Sequence, residues 1–263
     1  MPNIDSHNPG SFCWFELGTT DQAAAKQFYS ALFDWTSEDF PMGPGGTYTM
    51  FNLNGRYVGA CYTLNPAQQS EGVPPHWNLY VSVENADSTA QRAGELGAKL
   101  YMPPFDVMEF GRMTIMADPT GAVISIWQPK QHSGTGITGV DGTVCWADLS
   151  TTDVDKAKNF YSSLFGWSIK AGEHDASGYL HIFNKGAGIG GIPPAEYRKA
   201  GVPPHWLAYY FVSDCAATVS KAGELGARIY MDSHTIPNVG TMAIIADPQG
   251  AVFALFQPLA AAA

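Results

Sequence analysis

Apolar positions in this chain follow two rhythms, one residue in two and three or four in seven, and the switches between them mark out the elements. Phe12–Gly18 is an aromatic-rich run that reads as a strand, stopped by Thr19 and Thr20. Asp21 is typed as a helix N-cap, and Ala23, Ala24, Ala25, Phe28, Tyr29, Leu32 and Phe33 follow at helical spacing. Residues 36–46 are rich in turn formers, among them Pro41 and Pro44, with a strand expected to begin near Trp35. Tyr48–Leu53 and Tyr57–Leu64 alternate around Asn54-Gly55, a strong hairpin signal. Asn65–Pro75 is polar and reads as a loop. Trp77–Val83 predicts a strand and Ala86–Leu96 a helix ended by Gly97. Lys99–Met102, Arg112–Ala117 and Ala122–Gln128 predict three more strands, the last two joined by the tight turn Asp118-Pro119-Thr120-Gly121. The order strand, helix, strand, strand, strand thus occurs twice within some 130 residues.

The same order then occurs twice more. Ala93–Met102 returns as Ala222–Met231, Gly72–Trp77 as Gly201–Trp206, and Ala117–Val123 as Ala246–Val252, all at an offset of 129. Phe28–Trp35 answers Phe160–Trp167 at an offset of 132, so three residues are missing between Trp167 and Gly201. A repeat of this length is a duplicated domain rather than a solenoid unit. The boundaries fall at 8–130 and 143–259, with a Gly, Ser and Thr-rich linker over 131–142. Two near-equal domains related by a pseudo-twofold are expected, in a monomer or a homodimer.

Composition narrows the partners. Apolar residues make up 45% of the chain, enough for two cores, and the net charge of −10 argues against nucleic acid and anionic membranes. No apolar run is long enough to span a bilayer. The first residues lack a basic and apolar signal pattern, so a cytoplasmic location is expected. Cys13, Cys61, Cys145 and Cys215 have no C-x-x-C spacing and read as buried free thiols. Gly186-x-Gly188-x-x-Gly191 matches a dinucleotide fingerprint in form only, because Pro193 and Pro194 follow it where a helix would be needed.

Three features together resemble the vicinal-oxygen-chelate superfamily of glyoxalases, bleomycin-resistance proteins and extradiol dioxygenases. They are the first strand running into Thr19-Thr20-Asp21, the helix Phe28–Trp35, and the hairpin Asp118–Ala122; each recurs, at Asp153, Phe160–Trp167 and Asp247–Ala251. The chain is most similar to the two-domain, actinobacterial-antigen-like members. The resemblance implies an α+β fold of two tandem domains, each of paired βαβββ units curled into a cup that holds the ligand. It also implies metal-ligand positions on the strands of each cup. Those positions carry Trp14, Asn78 and Ser125 in the first domain and Trp146, Leu207 and Ala254 in the second, so no cofactor and no divalent metal are expected.

Strand alternation gives the cup linings instead. Trp14, Glu16, Asn78, Tyr80, Ser125 and Trp127 share a face in the first cup, and Trp146, Asp148, Leu207, Tyr209, Ala254 and Phe256 do so in the second. His76 and His205 stand at the mouths, either as ligand anchors or as loop-fixing residues. His181 either lines the second cup or faces solvent, while His7, His132, His174 and His234 fall in polar stretches and are assigned no role. Glu16 is the candidate base, because a carboxylate among Trp and Tyr rings loses solvation. The alternative is that it caps backbone N–H groups or bonds a Tyr or Trp across the strands. The expected function is binding of a small aromatic or amphipathic molecule in a metal-free cup. The alternative is a glyoxalase-like lyase or oxygenase using Glu16 as base or an unrecognised metal site, and a third reading is a structural protein with vestigial cups.

Overall fold

The computed structural model describes residues 3–43, 46–172 and 177–259; Pro44, His174 and the terminal alanines lie outside the described residues. The first domain runs β1 (Phe12–Thr19), α1 (Gln22–Phe33), β2 (Thr36–Pro41), β3 (Thr47–Leu53), β4 (Arg56–Thr63), α2 (Pro66–Ser70), β5 (His76–Ser82), α3 (Ala86–Glu95), β6 (Lys99–Leu100), β7 (Phe105–Val107), β8 (Gly111–Ala117) and β9 (Val123–Pro129). The second repeats it as β10 (Val144–Ser150), α4 (Val154–Phe165), β11 (Ser168–Ala171), β12 (Leu180–Asn184), β13 (Ala187–Ile192), β14 (His205–Phe211), α5 (Cys215–Glu224), β15 (Arg228–Ile236), β16 (Gly240–Ala246) and β17 (Val252–Pro258). The predicted start signals hold: Asp21 accepts from Ala24 N–H and its twin Asp153 from Lys156 N–H. Asn54 and Gly55 both take positive φ, as a two-residue hairpin requires. Two short elements depart from the sequence reading. The polar loop after β4 contains α2, held by a capping box between Asn65 and Gln68. The strand expected over Lys99–Met102 stops at Leu100, and β7 forms beyond the two prolines that follow.

Each domain makes its own sheet, ordered β2-β3-β4-β1-β5-β9-β8-β6 with β7 on β8, and β11-β12-β13-β10-β14-β17-β16-β15. The two units of a domain meet where β1 pairs antiparallel with β5, which sets Trp14 opposite Tyr80 and Glu16 opposite Asn78. β9 lies parallel to β5 and brings Ser125 beside Tyr80. One face of each sheet is the cup. The other carries Phe15, Leu17, Ile124 and Ile126, or Ala147, Leu149, Phe253 and Leu255, as alternation requires.

The two cores expected from composition are in fact one. Those back-face residues of both sheets join the buried faces of α1, α3, α4 and α5 in a single apolar cluster. Helices of one domain dock on the other: Phe28, Tyr29 and Phe33 of α1 meet Phe253 of β17, and Phe33 stacks on Tyr210 of β14. Burial of each such ring contributes about 1.5–3 kcal/mol. Polar bonds fix the register of this contact. Tyr29 donates to Asp247 Oδ2 at 3.0 Å and Tyr161 to Asp118 Oδ2 at 2.9 Å. Each tyrosine oxygen also accepts an indole N–H, from Trp77 and Trp206 respectively. Asp118 and Asp247 therefore do more than close their turns, the role read from sequence. Oδ1 of Asp118 gathers the amides of Thr120, Gly121 and Ala122, while Oδ2 reaches across the domain boundary.

The linker over 131–142 is likewise more than a tether. Trp35 donates to Gly142 O and, at the twin position, Trp167 donates to Gly10 O, so the linker and the N-terminal segment are equivalent arms. The linker is bonded along the rim of the first sheet, Thr135 N–H to Cys13 O and Gly136 N–H to Tyr57 O. All four cysteines are free, with Cys145 half-buried rather than buried. No helix among the described residues is long and apolar enough to cross a membrane.

Tyr29→Phe and Tyr161→Phe should each lower stability by about 1–3 kcal/mol, because each strands a buried carboxylate oxygen and an indole N–H. Thermal melts of the two variants are expected to show similar losses. A loss from only one would mean that the two bonds are not equivalent.

Candidate functional site

The first cup is built on a row of side chains that the register places together. Glu16 sits between two phenols: Tyr48 donates to Oε2 at 2.7 Å and Tyr80 to Oε1 at 2.9 Å. Trp14 N–H donates to the Tyr48 oxygen at 3.1 Å, extending the chain. The carboxylate is enclosed, and burial raises its pKa above the usual carboxylate range, with the two tyrosine bonds acting in the opposite sense. Burial and the Glu16 charge push both phenols well above an ordinary tyrosine, so they stay protonated donors. Beside this acid, Asn78 donates to Ser125 Oγ at 2.8 Å, and its Oδ1 is buried without a partner. Turning the amide over would exchange which end is bonded and still leave one end bare.

Aromatic and thioether groups close the cup. Trp14, Tyr80 and Trp127 are 4%, 2% and 6% exposed, and Met50 and Met113 pack among them. The Trp127 indole packs against Gly111, where any side chain would strike it. Unbranched methionines in such a wall can repack around a guest.

The second cup repeats the acid and changes its setting. Asp148 accepts from Tyr209 at 2.8 Å, from Tyr179 and from Trp146 N–H at 3.1 Å, so three donors face its two oxygens. Burial raises its pKa as well, against those bonds. Leu207 and Ala254 stand where the first cup has Asn78 and Ser125, and Trp146 and Phe256 are packed beside them. His181 stands 5.0 Å from the Tyr179 ring and 6.2 Å from Trp146, on the cup side. The glycines of the false fingerprint have local reasons: Gly186 takes a positive φ in the hairpin turn, a side chain on Gly188 would press on Trp146, and Gly191 leaves the space that Tyr179 fills; the neighbouring Gly190 lets β13 approach Ala147.

The sequence-predicted residues Trp14, Glu16, Asn78, Tyr80, Ser125 and Trp127 are thus brought together, as are Trp146, Asp148, Tyr209 and Phe256. The cross-strand bonding offered as the alternative for Glu16 is present. His76 and His205 bond through Nδ1 to Pro74 O and Pro203 O, at 2.8 and 2.9 Å, which fixes the Pro-Pro-His turns. Sequence reasoning missed Tyr48 and Tyr179 as a pair, although both sit on or next to strands; their separation falls between the two measured offsets. It also gave His132 no role. The structure instead sets its ring 4.5 Å from Trp14, 5.9 Å from Tyr57 and 6.0 Å from Trp127, inside the first cup.

A family model, the Glyoxalase/Bleomycin resistance protein/Dioxygenase superfamily, matches residues 11–126 and 143–255. The chain belongs to this superfamily. It is 38% identical over 260 residues to "Putative glyoxylase CFP32" of Mycobacterium tuberculosis, covering 98% of both chains. It is 32% identical over 263 residues to "Anthracycline biosynthesis protein DnrV" of Streptomyces peucetius, covering 95% of this chain and 94% of that one. Among solved superfamily structures, the Mn(II)-bound glyoxalase from Novosphingobium aromaticivorans matches the fold with a TM-score of 0.64 at 13% identity, covering 97% of this chain and 83% of that one. The residues of the present superfamily member do not fit such an ion. The implied ligand positions hold Trp14, Asn78, Ser125, Trp146, Leu207 and Ala254, and Glu16 already serves two phenols. Among the described residues no three His, Cys, Asp or Glu side chains gather closely enough to hold a metal.

Above 4.5, the ordinary value for Glu16, the folded protein holds this proton more tightly than the unfolded chain does. The stability from this group is therefore complete below 4.5 and declines as pH rises through the raised value. Relative to Glu16→Gln, which cannot ionise, the wild type should lose stability as pH rises. Melting both proteins across this range checks it, and a wild-type advantage that grows with pH would contradict it.

Proposed function

We propose that the protein binds a small aromatic molecule carrying a polar group in its first cup, without a metal, with Glu16 and Asn78 as the polar anchors. The observation that carries this reading is the bare end of the Asn78 amide. A buried polar end without a partner costs about 1–3 kcal/mol, and the twin domain avoids that cost with Leu207 and Ala254. A group kept at such cost in one cup alone is explained by a guest that pairs with it. Glu16 has two donors on a carboxylate that can accept about four bonds, whereas Asp148 already has three, so the first cup has more capacity left for a ligand. The indole and phenol walls suit a flat ring. The relative named for anthracycline biosynthesis supports an aromatic guest, since anthracyclines are polycyclic aromatics.

A second reading, turnover, has one observation in its favour. Burial raises Glu16 toward the range of a general base, with protonated phenols bonded to it that can steady a developing charge. The glyoxylase-named relative belongs to this reading.

Calorimetric titration with α-naphthol tests the binding proposal. Wild-type protein is expected to bind it, Glu16→Gln to bind about tenfold more weakly or worse, and Asp148→Asn to stay within about twofold, as loss of a used hydrogen bond implies. Chelator should leave the affinity unchanged. Equal effects of the two substitutions would sink the assignment to the first cup, and loss of binding with chelator would sink its metal-free part.

A further inference from the structure

The linker between the domains places a histidine in the first cup. Residues 130–136 run across its end as a strap fastened on every side. Lys130 and His132 N–H both donate to Phe110 O at 3.0 Å, and Lys130 Nζ pairs with Asp106 at 2.9 Å. Thr135 N–H donates to Cys13 O and Gly136 N–H to Tyr57 O, both at 2.8 Å. The N-terminal arm ties the strap down from outside, through Ile4 N–H to Gly136 O and His7 Nε2 against Thr135 O, each at 2.9 Å. Trp127 N–H donates to the carbonyl of His132 itself at 2.8 Å. A segment anchored by this many main-chain bonds is a fixed wall, and its side chain is held in one place.

His132 Nε2 is buried and has no hydrogen-bond partner. Its neighbours offer it little. Trp14 gives its N–H to Tyr48, and Trp127 gives its N–H to the His132 carbonyl. A water there would need two to four polar partners, and the walls are largely ring faces and edges. If packing were the whole role of this residue, an apolar ring would fill the space without stranding a nitrogen. In the sequence the position 129 residues on is an alanine, Ala261, so this histidine is not repeated; the imidazole on the cup side of the second domain is His181, which comes from β12 rather than from a strap.

We infer that His132, delivered by the interdomain strap, is a specificity residue of the first cup that reads a hydroxyl or carbonyl at the edge of an aromatic ligand. This rests on the binding function proposed above and narrows it: the guest is an oxygenated aromatic, with its ring against Trp14 and Trp127 and an oxygen turned to Nε2. Either tautomer of a neutral imidazole serves, donating to a carbonyl or accepting from a hydroxyl. Burial lowers the pKa of His132 to about 4, which keeps it neutral at physiological pH.

Equilibrium dialysis with α-naphthol and with naphthalene, on wild type, His132→Phe and His132→Leu, tests this. Wild type is expected to prefer α-naphthol, and both variants to lose about tenfold of that affinity while naphthalene changes by no more than about twofold. His132→Phe should also melt at a higher temperature, since it removes the stranded nitrogen and keeps a ring. Unchanged α-naphthol affinity in both variants overturns the role of His132 and leaves the binding proposal standing. Equal losses for both compounds show that the residue acts only by packing, and also overturn it. If neither compound binds wild type, the binding proposal falls and this assignment falls with it.

Discussion

The tyrosine of the helix after each domain's first strand donates a hydrogen bond from its hydroxyl to a carboxylate of the other domain, and the rest of the molecule is arranged around that pair of bonds. Tyr29 and Asp247, and Tyr161 and Asp118, are buried pairs that line up two back faces and four helices in one core. A buried polar bond of this kind contributes modestly to stability but strongly penalises alternatives, because any shifted packing would strand its members. The aspartates are themselves fixed by the turn amides, so turn, helix and opposite domain are positioned together. With the helix sides consumed by the interface, only the outward faces of the sheets are left for chemistry.

Those outward faces share an acid and differ in its surroundings. In both cups a carboxylate is gripped by two phenols, with an indole N–H in the same network. That arrangement keeps a buried negative charge tolerable and holds the strands of the cup in register. Around it the first cup carries an amide and a serine hydroxyl where the second carries Leu207 and Ala254, and each cup has an imidazole from a different element, His132 from the strap and His181 from β12. The duplication therefore provides an internal control: what both cups keep serves the fold at least in part, and what one alone keeps calls for another explanation.

Much of this was legible in the sequence, for identifiable reasons. Asp21 and Asp153 marked helix starts because a short carboxylate before an apolar helical run has one common use. The pairing of Asn54 with Gly55 marked the hairpin because both residues accept positive φ. Strand period alone put Glu16 on the face of Trp14, and Trp127 on the face of Ser125, since a two-residue repeat leaves no other choice within a strand; that the two pairs share one cup rested on the family resemblance. Other features depended on contacts far apart in the chain. Nothing local to Asp118 says that its second oxygen meets Tyr161. His132 sits in a polar stretch without periodicity, and only the main-chain bonds of that stretch to β1, β4 and the turn before β8 turn it inward. Tyr48 was visible as a strand residue, but its bond to Glu16 needs the curl of the sheet.

The equivalence of the N-terminal arm and the interdomain strap bears on how such a chain could have arisen and what it can tolerate. Gly10 and Gly142 perform the same task for opposite tryptophans, so the covalent connection between the halves does little that the free arm does not also do. The molecule is in effect a two-subunit assembly with an isologous interface, its symmetry partners fused end to end. Fusion released the two copies from the obligation to remain identical. One cup could then gather polar groups and recruit the joining segment as a wall, while the other kept to supporting the shared interior.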